Sequence, residues 1–245
     1  MDLPFLFFGV AACLIVAFFV FIFIAASKAA VERAENRSRE LGELAGEIGL
    51  TFDPSFDETM SEQFKHFGQF CEGDNRTAYN TLTGSLTIDG QEFPTRIGDY
   101  TYTVTRSKGG KSGGTTTTTY RLTYLILKLP FIDVPDTIIR HENIFDKIGA
   151  ALGFDDIDFE SSEFSRKFFV KGKNRQFTYG LIHQGMMEHF LTGPFTPIEI
   201  ESGDCLICED DITWSVPEIR EKIAFAKGFI QRWPRDLLDD VYNRT

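Results

Sequence analysis

A chain of 245 residues with 25 phenylalanines and a net charge of −11 is too aromatic to stay disordered and too acidic to be a general binder of nucleic acid. Its four cysteines, Cys13, Cys71, Cys205 and Cys208, lack the count and spacing of a disulfide framework once Cys13 is assigned to an apolar block, so a reducing compartment fits better than secretion.

The apolar block runs from Leu3 to Ala26 without a charge. As a helix it spans about 36 Å, enough to cross a hydrocarbon core of about 30 Å. A cleaved signal peptide requires a basic start and a shorter apolar core. Only Asp2 is charged ahead of this block. A lipoprotein signal at Cys13 requires polar residues after the cysteine, and the sequence stays apolar there. The block therefore reads as a retained anchor over 1–27. Lys28, Arg33, Arg37 and Arg39 follow it and no base precedes it, which places the C-terminal side in the cytoplasm and the N-terminus outside. The glycosylation-type triplets at Asn36, Asn75 and Asn243 would matter only on a lumenal side.

Residues 28–49 continue as a juxtamembrane helix, rich in Ala, Glu and Arg and free of Pro, with Gly49 as its C-cap. Ala30, Ala34, Leu41, Leu44 and Ile48 approach a coiled-coil seam that Arg37 interrupts. A stalk packed on its own domain and a dimer seam both remain open.

Residues 50–245 are expected to form one cytoplasmic domain. Ser55 and Glu58 have capping-box spacing ahead of a helix that carries Met60, Phe64 and Phe67 on one face. A strand over 78–88 leads to Asp89-Gly90, a hairpin signal, and a second strand returns over 92–106. Residues 107–119, four glycines, two lysines and five threonines among them, read as an exposed mobile loop before a third strand over 120–131 that ends at Pro135. The rest alternates: a helix over 143–153, strands over 156–160 and 167–172, a helical stretch broken near Gly185, a hairpin over 196–210, and a closing helix. That last helix has Ser215 as N-cap, Glu218 three beyond it, and a stripe of Ile219, Ile223, Ala226, Ile230 and Trp233. The class is α+β, a mainly antiparallel sheet with packed helices behind a transmembrane helix and a stalk.

Four stretches tempt as chemical sites. Residues 155–163 hold Asp155, Asp156, Asp158, Glu160 and Glu163. An EF-hand counted from Asp156 puts Ser161 where Gly is needed and Lys167 where the bidentate Glu is needed, so the pattern fails. Asp156, Asp158 and Glu160 instead share one strand face, with Ile157 and Phe159 on the other. Ser162 would cap the turn that follows, and Phe164 and Phe168 would enter the core. The loop at Gly110-Lys111-Ser112 lacks the earlier Walker glycine, since position 105 is Thr105, and lacks a following helix. Cys205 and Cys208 have redox spacing but lie on a strand, where they point to opposite faces. His183 and His189 are six apart, unlike a helical metal pair, and Met186 and Met187 lie between them.

The apolar block, the Phe-rich helix, the acidic stretch leading to Glu163-Phe164, the basic-aromatic run Lys167 to Val170, and the helix with Met186-Met187 together resemble a group of uncharacterised bacterial membrane-anchored proteins with a single span. The resemblance covers most of 50–233 and implies a bacterial inner-membrane location. It brings no activity and no catalytic residue. No catalytic residue, cofactor or metal ligand is assigned. The function expected is a membrane-tethered cytoplasmic interaction or sensing module; the alternative is a membrane-anchored hydrolase or transferase with a site assembled from distant residues. Partners expected are the bilayer, through Leu3 to Ala26, and a protein or second copy through the stalk, with no nucleic acid.

Overall fold

The structure is a computed structural model describing residues 3–109, 113–131, 134–142, 157, 159–234 and 237, with the side chains of 3–16 outside that set. The expected helix over 143–153, the carboxylates Asp155, Asp156 and Asp158, and the glycine-lysine-serine turn 110–112 lie outside the described residues.

A single helix, α1 (Leu3–Ile48), combines the apolar block and the stalk. It ends as expected. Gly49 has φ +75° and the Leu50 amide donates to the Ala45 carbonyl over 2.8 Å, a Schellman closure. Among the described residues eight strands follow in one sheet, ordered β1-β2-β3-β4-β8-β7-β5-β6, with every neighbouring pair antiparallel. They are β1 (Thr51–Asp53), β2 (Asp74–Ile88), β3 (Gln91–Ser107), β4 (Thr115–Lys128), β5 (Thr137–His141), β6 (Phe168–Gly172), β7 (Ile198–Glu201) and β8 (Asp204–Cys208). The helices are α2 (Met60–Gln63), α3 (Ser162–Lys167), α4 (Arg175–Leu181), α5 (Gln184–Thr192) and α6 (Val216–Gln231), with a 3₁₀ turn at Gly68–Cys71. The protein is therefore α+β, with helices on a mainly antiparallel sheet.

Two tight turns set the register. Asp89 and Gly90 (φ 50° and 81°) join β2 to β3, and Ser202 and Gly203 (φ 54° and 75°) join β7 to β8. Both pairs have the left-handed conformation that matches strand twist in two-residue hairpins. α6 starts with the expected capping box of Ser215 and Glu218, and its stripe is buried.

The sheet separates two cores. On its first face Leu41, Leu44 and Ala45 of α1 join the buried faces of α3 to α6 and β6, including Phe164, Phe168, Phe190 and Phe229. On its second face the chain over 60–71 lays Met60, Phe67 and Phe70 onto Tyr100, Tyr124 and Ile126. Leu41 and Leu44 are thus occupied inside their own domain, whereas Ala30 and Ala34 are exposed. Arg37, which breaks the seam pattern, is an anchor. Its guanidinium donates to both carboxylate oxygens of the buried Asp99 (3.2 and 2.8 Å) and to the Thr123 hydroxyl (3.3 Å). Asn80 and Thr123 also donate to Asp99, at 3.2 and 2.8 Å.

Several expectations need correction. Ser55 and Glu58 form no capping box. Asp57 is tied to β2 by paired backbone hydrogen bonds with Ala78 (2.8 and 2.9 Å) and its carboxylate takes the Arg96 guanidinium at 2.5 Å, which holds 55–58 out of helical geometry. The helix begins only after Thr59, whose amide and hydroxyl donate to Asp57, and it is one turn long. The threonines at 115–119 are strand, paired with 103–107, and the Lys108 amide donating to the Gly114 carbonyl continues the ladder. Consecutive β-branched residues suit a strand better than a loop. β5 was not anticipated, because "TIIRH" is short and follows prolines. Ile157 is joined to β6 by its amide donating to Val170 (3.1 Å), yet 157, 159 and 160 form no strand. Ser161, not Ser162, caps α3, accepting from the Phe164 amide at 3.3 Å. The helical stretch is broken near Gly185, as expected: α4 ends at Leu181, and His183 caps α5 by accepting from the Gly185 amide.

Among the described residues no helix is long and apolar enough to cross a membrane. The first fourteen residues of the apolar block, 3–16, lie outside the described side chains, and the rest of it is exposed: Phe18 to Ile24 are between 45% and 72% accessible.

Candidate functional site

Alternation on the strands decides what the second sheet face presents. Ile139, Ile198, Ile200, Cys205 and Ile207 belong to the first core. Their strand neighbours, Ile138 and Arg140 on β5, Glu199 and Glu201 on β7, and Leu206 and Cys208 on β8, therefore face the other way. Over β2 to β4 that face is covered by the 60–71 segment. Over β5, β7 and β8 the cover stops at Gln69, and a half-open cavity of about 300 Å³ remains. Its floor is Ile138, Leu206 and Cys208; its polar walls are Gln69, Arg140, Glu199, Glu209 and Asp210, with Ile212 exposed at the rim.

Glu199 dominates the chemistry of this groove. The register places it between Ile138 and Leu206, two apolar neighbours. Burial there raises its carboxyl to a pKa of about 8; Glu201 adds to the rise through its charge and through a hydrogen bond with Glu199, while Arg140 opposes it. Glu201 is raised as well, by burial first and then by Asp136. At neutral pH Glu199 is mostly a neutral acid, a hydrogen-bond donor in an apolar setting. Arg140 lies with its guanidinium carbon 4.6 Å from the centre of the Phe169 ring, at the sheet edge of the groove. Lys222 of α6 donates to Glu209 at 3.1 Å. The groove can hold a small amphipathic group, with an apolar part on Ile138 and Leu206 and a polar part between Arg140 and Glu199.

The stretches singled out in the sequence are not brought into this groove. Glu160 and Glu163 are exposed, and Glu163 accepts from Lys167 of the next helical turn at 2.9 Å. Ile157, Phe159, Phe164 and Phe168 are buried. Cys205 is buried in the first core and Cys208 faces the groove, so the two thiols lie on opposite sheet faces; burial pushes the Cys205 thiol up. The ring Nε2 of His183 pairs with the Arg232 carbonyl at 2.8 Å and that of His189 with the Phe225 carbonyl at 3.3 Å, both fastening α5 to α6. Among the described residues no group of three His, Cys, Asp or Glu side chains is placed to hold a metal ion. Sequence reading missed Arg140 because it missed β5. Glu199 had a signal, the alternation in "PIEIE", but that pattern cannot show that the polar face of a strand will be half covered.

The molecule is an α+β domain with a long helix seated on one sheet face and a small amphipathic groove on the other. Cys208 is the only thiol or hydroxyl among the described groove residues, and no histidine lines it. No protein-family profile and no curated protein matches the chain. A solved structure that does match is the crystal structure of the mycobacterial trehalose monomycolate transport factor A, TtfA, with a TM-score of 0.57 at 13% identity, over 82% of this chain and 93% of that one. At that identity the likeness is one of fold.

Proposed function

We propose that this protein is a membrane-tethered interaction module: α1 enters the bilayer of a bacterial inner membrane through 3–26, the N-terminus lies outside, and the domain stands in the cytoplasm. The observation that carries this reading is the continuity of α1. Phe18 to Ile24 are exposed around the whole helix, and the same helix is locked to the sheet through Arg37, Leu41 and Leu44. A run of large apolar side chains on every face of a helix has its natural solvent in lipid. The bases at Lys28, Arg33, Arg37 and Arg39 support the orientation. The fold likeness to a transport factor is compatible with a module that holds or docks a partner at a membrane, and the groove around Glu199 supplies a place for it.

The test is fractionation and a reporter. The full chain should stay in the membrane pellet after a carbonate wash, and alkaline phosphatase fused after Thr245 should be inactive in bacteria. Release by carbonate would remove the anchor, and strong periplasmic phosphatase activity would invert the orientation. The enzymatic alternative, a membrane-anchored hydrolase or transferase, has one observation in its favour: a neutral Glu199 beside Arg140 resembles a poised acid. No histidine or hydroxyl is among the described groove residues and Cys208 is the one thiol there, so binding is the reading we adopt.

A further inference from the structure

We infer that the outer part of the β3–β4 ribbon is a second membrane contact, a basic arm that brings Arg106 and Lys108 to anionic phospholipid headgroups beside the anchor. The inference rests on the tether proposed above.

The first observation is direction. Three contacts align α1 with the sheet. Leu50, just past its end, packs by Gly84, which pairs with Thr95. Gly42 lies against Phe52, which is in register with Leu82 and so with Ile97. Arg37 binds Asp99. Moving back along α1 toward its apolar end therefore means moving forward along β3 toward Ser107. The opposite end of the sheet, at the Asp89-Gly90 turn, is where α6 finishes, with Gln231 donating to Asp89. The apolar block and the outer end of the described ribbon, where Ser107 pairs with Thr115, leave the domain on the same side.

The second observation is reach. From the common level at Arg37 and Asp99, α1 needs eleven residues to arrive at Ala26, about 17 Å at helical rise. β3 needs eight residues to arrive at Ser107, about 27 Å at strand rise. The hairpin is long enough to reach the plane where the apolar block begins even when the strand is inclined to the helix by several tens of degrees.

The third observation is chemistry. β2 stops pairing with β3 at Thr103, and β8 pairs with β4 only over 124–128, so β3 and β4 over 104–107 and 115–118 are a bare two-stranded ribbon. Its residues over 105–109 and 113–119 are exposed. Residues 104–119 include no acidic side chain, in a chain of net charge −11. Arg106 and Lys108 project from it with no ion-pair partner among the described residues. A polar two-stranded ribbon is marginal in water by itself. A basic ribbon end, at Arg106 and Lys108, on an otherwise acidic protein matches a negatively charged surface, and the bilayer is the surface at that height. Each base near anionic headgroups shifts the docked population about fivefold, so the two together shift it about twenty-fivefold, with the effect screened by salt.

The experiment uses the full chain in lipid nanodiscs, made either from phosphatidylcholine alone or with added phosphatidylglycerol, with brominated acyl chains as quencher. A fluorophore is placed at Ser107→Cys, and in a control protein at Asp89→Cys, with Cys13, Cys71 and Cys208 changed to serine. The inference expects quenching at position 107 only with phosphatidylglycerol, its loss in high salt, and its loss in the Arg106→Glu, Lys108→Glu variant, whose melting temperature should match the parent. Insertion into the nanodisc with position 107 as unquenched as position 89, or equally quenched in both lipids, overturns the arm and leaves the tether standing. Failure of the chain to co-purify with nanodiscs overturns both.

Discussion

Replacing Arg37 by Met should cost about 3 kcal/mol of stability and loosen α1 from the domain. Asp99 is 1% exposed, and Arg37 supplies its only positive charge among the described contacts. Breaking a buried ion pair by removing one partner costs about 3–5 kcal/mol, because the surviving charge stays out of water. Asn80 and Thr123 continue to donate to Asp99, which favours the lower end of that range. Thr123 also accepts from the Trp214 amide at 3.0 Å, so the perturbation reaches the residue before the α6 cap. The second variant, Arg37→Met with Asp99→Asn, removes the stranded charge and should recover about half of the loss, a difference well above the additive error of about 0.5 kcal/mol. Urea unfolding of the full chain in detergent, followed by circular dichroism, measures both. A loss below about 1 kcal/mol for Arg37→Met, or a double variant no better than the single, would refute the claim that this ion pair fastens the helix.

Glu199 makes stability pH-dependent in a definite direction. Its folded pKa of about 8 lies above the ordinary carboxyl value, so the folded state holds the extra proton and stability falls as pH rises from about 4.5 to about 8. Glu199→Gln should therefore raise the melting temperature at pH 9 and change it little at pH 4; an equal effect at both would show that the carboxyl is not held neutral. Phe164→Ala should cost about 3–5 kcal/mol in urea unfolding, since the ring is fully buried against Phe159 and Phe168; a loss under about 1 kcal/mol would mean that the ring is not a core anchor. In thiol-labelling kinetics the exposed Cys71 should react at once, and Cys205, buried and held protonated, only as fast as the protein unfolds.

The sequence alone determined the parts of this protein whose physics is local. The uncharged run at 3–26, the capping box at Ser215, and the turn pairs at Asp89-Gly90 and Ser202-Gly203 act over a few residues, where propensity and dihedral preference suffice. Alternation correctly placed Cys205 and Cys208 on opposite faces. Elements governed by distant partners were not legible. The helix expected from Ser55 is held off by Ala78 and Arg96, contacts that no local pattern contains. Arg37 looked like a flaw in a helical seam because its partner, Asp99, lies 62 residues away. β5 became a strand only because β6 and β7 flank it. The groove follows the same rule. Which side of β7 carries Glu199 can be read from the sequence, but its raised pKa depends on Ile138, Leu206 and the point where the 60–71 segment stops covering the sheet, and those are set by tertiary packing, in which burial depends on residues far apart in the chain.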